Sequence, residues 1–325
     1  MQFAKGLVFW YAFRVMFPTL YSAGSITVSS FGFFLSLAFL FSIFLVWRLA
    51  RAWDLNEEKI LDLCLLTFFG TLLGARVLFV LLHLNLFADN LLGSFTKIVL
   101  LTKYPGLEFW GGILGGSLTL YFFAKRMRKI DFWQVADLAV VGLLGGLILG
   151  NIGCLLGGCN IGVRSDLPFA VSMVGFVGKR FPVQALEVII FTFVLWRIWP
   201  MAVKFHFTGK IAALGLIILG SLEFFLEFLR AEKTGGFIFS PIIFSLGIFT
   251  FYKFGKRDIR LDFNMIKNFL IGLLTKSSVR GNVRKWFLKS WYNQKVNFVW
   301  SLHRIKKKLL LIRRRARVKK LPEHF

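Results

Sequence analysis

The chain has 325 residues, 57% of them apolar, and its 40 Phe and 10 Trp make up about one residue in six. That is too apolar for a water-soluble fold, and it excludes collagen-like, disordered and disulfide-scaffold classes; the three cysteines, Cys64, Cys154 and Cys159, lie in apolar stretches and offer no disulfide framework. The net charge of +25 is uneven, with 20 Lys/Arg against 3 acids from Gly255 onward and 21 against 13 before it, so the basicity is mainly a tail on an all-α, polytopic membrane protein.

A hydrocarbon core about 30 Å thick needs about 20 apolar residues per crossing helix. The opening segment, Met1 to Tyr21, is aromatic but interrupted by Lys5, Arg14 and Pro18, and is expected to be an interfacial helix. It has no small-residue cleavage site and is expected to stay in the mature protein. Seven spans follow, at roughly 31–49, 61–84, 109–124, 134–156, 183–200, 210–229 and 237–254. Residues 1–24 thus form an interfacial segment, 25–255 a seven-span membrane domain and 256–325 a basic cytoplasmic tail.

Lys and Arg near span ends bias short loops to the cytoplasm. Lys125, Arg126, Arg128 and Lys129 lie between spans three and four, Arg48 and Arg51 follow span one, and Lys253, Lys256 and Arg257 follow span seven. The expected orientation has the amino terminus outside and the tail inside. Arg164, Lys179 and Arg180 then occupy an outer loop against the bias, where a ligand would explain them. The tail interleaves patches such as Phe269 to Leu274 with the runs Lys306 to Lys308 and Arg313 to Arg315, as in an in-plane helix on anionic lipid. Nucleic acid is the alternative partner for such basicity and is not expected on a membrane-anchored body.

Charged groups within spans are costly and are usually retained for a purpose. Here they are Arg76, Asp137, Glu187 with Gln184 and Asn151 nearby, and Glu223, Glu227 and Arg230. Glu223 and Glu227 share a helical face, and Glu227 with Arg230 is an i, i+3 pair that reads equally as a structural ion pair. Gly111, Gly112, Gly115 and Gly116 in span three, and the many glycines of span four, fit close helix packing; a helix break at Gly157 to Gly162 that turns backbone amides toward a phosphate is the alternative. Cys154 and Cys159 lack the further ligands of a metal site, so packing is their expected role and no metal or cofactor is expected.

The order of motifs resembles one family. Along the chain come Gly74-Ala75-Arg76, Phe109-Trp110-Gly111-Gly112, Asp131 to Asp137 (DFWQVAD), Asn151 to Cys159 (NIGCLLGGC), Asp166 to Ala170 (DLPFA), Arg180 to Glu187 (RFPVQALE) and Glu223 to Arg230 (EFFLEFLR). This set is similar to the phosphatidylglycerol:prolipoprotein diacylglyceryl transferases over about residues 25 to 255. The resemblance implies seven spans with the amino terminus outside, and transfer of a diacylglyceryl group from phosphatidylglycerol to the lipobox cysteine of a prolipoprotein signal peptide in the cytoplasmic membrane. On this chain it points to Glu187 and Glu227 as catalytic and to Arg76, Asn151, Arg180, Gln184 and Arg230 as lipid- or phosphate-binding. A guanidinium pairs two phosphate oxygens at once.

Several family positions are substituted. Trp110 stands where the family has His, Asn151 and Glu223 where it has Arg, Phe31 and Leu219 where it has Tyr, and Phe181 where it has His. An active transferase is the primary reading, and a family member that binds lipid or signal peptide without transfer is the alternative. A transporter would need an internal repeat, and none is visible.

Overall fold

The protein is described from a computed structural model over residues 16–23, 26–87, 106–126, 131–173, 176–204, 206–232, 235–256 and 258–285, with scattered positions between 288 and 307. It divides into two units, Met1–Lys256 and Arg257–Phe325.

The first unit begins with a hairpin. Strands β1 (Thr19–Ala23) and β2 (Ile26–Ser29) pair antiparallel, with Ala23 opposite Ile26. The expected helix over Met1 to Tyr21 is thereby corrected at its end, and residues 1–15 lie outside the described residues. The Thr, Tyr, Ile and Val of these two segments suit strands better than a helix. The hairpin leads into α1 (Ser30–Ala52), where the Ser30 amide donates to Pro18 O at 2.9 Å.

The remaining helices are α2 (Glu57–Leu82), the single turn α3 (Leu84–Phe87), α4 (Phe109–Arg126), α5 (Phe132–Gly157), α6 (Val183–Val203), α7 (Lys210–Glu227) and α8 (Gly236–Gly255). Their ends follow local chemistry. Asn56 Oδ1 accepts the Lys59 amide at 3.0 Å at the start of α2, and Gly158 ends α5 at φ 81°, a conformation that favours glycine. The long helices α1, α2, α4, α5, α6, α7 and α8 fall where the seven spans were expected, within a few residues. Five of them, α1, α2, α5, α6 and α8, are long and apolar enough to cross a membrane. The other two have 18 residues each, and α7 carries Lys210, Glu223 and Glu227.

Lipid chains are as apolar as leucine, so helix association inside a bilayer depends on close packing. Gly74 of α2 lies so close to α4 that an added Cβ would sit 2.4 Å from Gly111 O and 2.7 Å from Gly115 Cα. In α5, Gly142, Gly145 and Gly146 receive Val46, Leu45 and Ser42 of α1, while Gly220 of α7 abuts the Phe244 backbone of α8. The packing role expected for the glycines holds at these crossings. Leu49, Leu138, Val141, Phe191, Ile198 and Ile211 fill the centre between α1, α5, α6 and α7, whereas Phe69, Leu73, Phe122, Ile189, Phe225 and Phe249 are exposed. Such a shell suits contact with lipid tails.

Asp137 on α5 is buried and accepts the amides of Gly209 and Ala212 at 2.8 and 2.6 Å, with His206 Nε2 at 3.4 Å. It therefore satisfies the otherwise orphaned first amides of α7, and its role is structural. Trp53 Nε1 donates to Ala202 O at 3.0 Å at this same end of the bundle.

In the second unit, α9 (Ile259–Thr275) is capped by Asp258, whose Oδ1 accepts the Arg260 amide at 2.8 Å. Leu261, Met265 and Phe269 are exposed and spaced four residues apart, one to a turn. Apart from Lys307, the runs Lys306 to Lys308 and Arg313 to Arg315 lie outside the described residues, as do Arg128 and Lys129.

Candidate functional site

The opposite end of the bundle gathers the C-terminal halves of α2, α5 and α7 with the starts of α1, α4, α6 and α8. Short contacts tie these ends together. Phe31 lies over Gly157, the Glu108 amide donates to Ala75 O at 3.0 Å, and the rings of Trp110 and Phe239 stack with centroids 5.5 Å apart. The loop between α5 and α6 is pinned on two sides. The Val163 amide donates to Leu229 O at 2.9 Å and the Ala231 amide to Ile161 O at 2.8 Å, while the Phe181 amide donates to Val163 O at 2.9 Å. Gly162 thus bridges to Arg230 and Arg164 to Arg180, beside the short strands β3 (Val171–Ser172) and β4 (Lys179–Arg180). Contact with the Phe181 carbonyl leaves no room for a Cβ at Gly162.

A disulfide joins Cys154 to Cys159 within this loop. The packing role expected for these two residues is thereby corrected. The left-handed turn at Gly158 brings the Cys159 amide to Cys154 O at 3.1 Å and the two Cα atoms to 5.0 Å, which spacing along a straight helix would not.

Arg230 is the centre of the site. Its Nη2 lies 2.7 Å from Glu187 Oε1 and 2.7 Å from Glu223 Oε2, and its Nη1 lies 3.2 Å from Glu227 Oε2. All four side chains are buried. Glu187 enters from α6 just past its first turn, and also receives Asn160 Nδ2 at 3.4 Å; Glu227 accepts the Gly236 amide of α8 at 3.2 Å. Three carboxylates around one guanidinium leave an excess of negative over positive groups, and such an arrangement persists in a low dielectric only through this dense pairing. The helical spacing of Glu223, Glu227 and Arg230 announced part of the cluster. The contribution of Glu187, 43 positions away, required the fold.

Other expected residues occupy the same end. Arg76 is buried on α2, donates from Nη1 to Gly106 O at 2.9 Å, and lies over the rings of Phe79 and Phe87 at 5.6 and 5.3 Å. Gln184 is fully buried and donates from Nε2 to the carbonyls of Cys159 and Asn160, which makes it a brace for the loop. Arg180 lies over Phe176 at 5.4 Å, and its buried Nε has no hydrogen-bond partner among the described residues. Asn151 is half-buried on α5.

Of the substituted positions, Glu223 joins the Arg230 cluster and Trp110 is almost fully buried against Phe239. Leu219 is buried in the core cluster, and Phe31 packs on α5. Sequence reasoning passed over Asn160 and Glu108. Glu108 stands one residue ahead of α4 and so escaped a search confined to charges inside spans, although an acid just before the Phe-Trp-Gly-Gly motif is a visible signal.

Comparison with known proteins decides the family. A family model described as prolipoprotein diacylglyceryl transferase matches residues 18–253. The chain belongs to the prolipoprotein diacylglyceryl transferase family. Among its relatives, the protein of Clostridium tetani is 25% identical over 226 residues, covering 68% of this chain and 88% of that one. The protein of Photobacterium profundum is 30% identical over 225 residues, covering 67% and 82%, and that of Deinococcus radiodurans is 32% identical over 147 residues, covering 45% and 43%. All three are named phosphatidylglycerol–prolipoprotein diacylglyceryl transferase. The chain is accordingly a polytopic, multi-pass membrane protein, and the basic tail lies beyond the matched region.

Proposed function

We propose that the protein transfers the diacylglyceryl group of phosphatidylglycerol to the lipobox cysteine thiol of a prolipoprotein signal peptide, releasing glycerol phosphate. In this reading the chemistry takes place at the outer face of the cytoplasmic membrane, with the amino terminus outside and the tail inside. The observation that carries it is the buried Arg230 held by Glu187, Glu223 and Glu227, at the same end of the bundle as Arg76 and Arg180, in a member of this family.

The reaction forms a C–S bond at a glyceryl carbon and breaks its C–O bond to phosphate, whose oxygen takes the electron pair. The site must therefore stabilise a phosphate whose charge grows as the bond breaks, and preorganised donors are the main means of doing so. Glu187 and Glu227 orient Arg230, and the three carboxylates already more than offset its charge. Arg76 and Arg180 consequently meet more of the phosphate, with Asn151 as a further polar group on α5 and Gln184 holding the loop. A planar guanidinium supplies two parallel N–H bonds to phosphate oxygens.

The test incubates the purified chain in phosphatidylglycerol micelles with a lipobox peptide and looks by mass spectrometry for a diacylglyceryl thioether. Wild type is expected to form it, and Arg76→Ala to slow turnover by about two orders of magnitude, the size associated with removing one preorganised donor. Unchanged lipid binding and turnover in Arg76→Ala would remove that residue from the site. Binding without transfer is the second reading. It is favoured by Trp110, whose indole has no titratable group and is stacked on Phe239; retained lipid with no thioether would establish it.

For the tail we propose attachment to the anionic inner leaflet, on the strength of its charge and the exposed Leu261, Met265 and Phe269 of α9. Each basic residue near such a surface contributes about 1 kcal/mol. In bilayer discs, trypsin should cut the tail several-fold more slowly when the lipid is anionic than when it is zwitterionic. Deletion after Lys256 should leave turnover unchanged. Equal cleavage in both lipids would refute the attachment.

A further inference from the structure

Four carboxylates gather at the site end of the bundle: Glu108, Glu187, Glu223 and Glu227. Three of them are within 3.2 Å of the Arg230 guanidinium. Those three are engaged with the Arg230 guanidinium, and their evident task is to hold it in place.

Glu108 stands apart from that pairing. It is only half-buried, and its buried Oε1 has no hydrogen-bond partner among the described residues. Its place is fixed by the backbone, since its amide donates to Ala75 O at 3.0 Å and Arg76 Nη1 holds Gly106 O two residues earlier. It is also close enough to the Arg230 cluster to be coupled electrostatically to Arg230 and Glu227. A buried oxygen without a partner is uncommon and asks for an explanation.

We propose that the Glu108 carboxylate takes the proton from the attacking thiol. This rests on the transferase reading above. The proton passes from sulfur to a Glu108 oxygen, and the sulfur electron pair forms the C–S bond at the glyceryl carbon. The C–O bond breaks toward the phosphate, and the proton held on Glu108 leaves with glycerol phosphate or to water. No co-reactant is needed.

The charge environment agrees. Burial holds the Glu108 carboxyl above the usual carboxylate range; Glu227 adds to the rise, while His83 at the end of α2 and Arg230 oppose it. A base works best when its affinity for the proton approaches the operating pH. With Arg76 held to Gly106 two residues earlier, these are the charged groups around it among the described residues.

The test compares wild type, Glu108→Gln and Glu108→Asp as full chains in phosphatidylglycerol micelles with a lipobox peptide. Glu108→Gln should lower kcat by about 10²- to 10⁴-fold, the usual range for a general base, with KM and co-purified lipid unchanged. Its residual rate should climb with pH until the peptide thiol, of pKa about 8.5, ionises by itself. Glu108→Asp should recover part of kcat, and the wild-type pH profile should keep an ascending limb at lower pH, below the ionisation of the thiol, that Glu108→Gln lacks.

A Glu108→Gln chain with the wild-type rate and pH profile would overturn the assignment while leaving the transferase reading intact. A wild-type chain that makes no thioether would overturn both. Should Glu108→Gln fail to fold, Glu108→Asp and the wild-type profile decide: a wild-type profile with no ascending limb, or one unchanged in Glu108→Asp, also overturns it.

Discussion

Arg230→Ala is expected to be the most damaging single substitution in the protein. It removes the cation that Glu187, Glu223 and Glu227 share and leaves three carboxylates buried together without it. Removing one partner of a buried ion pair costs about 3–5 kcal/mol, and here three acids lose the same partner. The loss also reaches the loop that bridges to residue 230 through Gly162, so the fold of the whole site end should loosen. Thermal unfolding in detergent should fall sharply, and no thioether should form. Arg230→Lys keeps the charge but not the fork, and should recover part of the stability and little of the turnover. A stable, fully active Arg230→Ala chain would show that the cluster supports neither.

The second large effect is expected at Gly74, which carries no reacting group itself. Its substitution by Val places a branched side chain against the Gly111 carbonyl and the Gly115 backbone, neither of which can yield without moving α4 away from α2. Overpacking of this kind costs about 1–3 kcal/mol. The geometric consequence is larger, because Arg76 follows Gly74 by two residues and Glu108 hangs from Ala75 by a backbone bond. Turnover in Gly74→Val should drop at least 100-fold, since misplacing a reacting group by about 1 Å can cost that much. Gly150→Ala is the control. A Cβ there meets nothing within 4 Å, so stability and turnover should stay near wild type. Equal behaviour of the two variants would mean that the α2–α4 contact does not position the site.

Much of this was legible in the residues. Apolar runs of membrane-crossing length located the seven long helices within a few positions, because lipid forces every backbone amide to bond within its own segment and leaves few alternatives. The i+4 and i+3 spacing of Glu223, Glu227 and Arg230 foretold a local cluster. Where the reading failed, the failures have causes. Thr19 to Tyr21 close an aromatic segment that suggests an interfacial helix, yet they pair with Val28 and Ser29 as a strand, a partnership the local pattern does not show. Cys154 and Cys159 were read as packing, and the left-handed Gly158 made them a disulfide. Asp137, conspicuous as an intramembrane acid, turned out to close the start of α7.

Sequence alone determined the class of this protein, the positions of its long helices and the ordered motifs that mark its family, since hydropathy, charge bias and short-range spacing are properties of neighbouring residues. Only the tertiary structure decided which charges share a partner. Glu187 reaches Arg230 across 43 residues, and Glu108 remains outside that cluster with an oxygen that has no hydrogen-bond partner among the described residues. Pairing among buried charges depends on where helix ends meet in space, and that is set by the glycine contacts that let α2 and α4 approach and by the loop strapped between residues 163, 181 and 229.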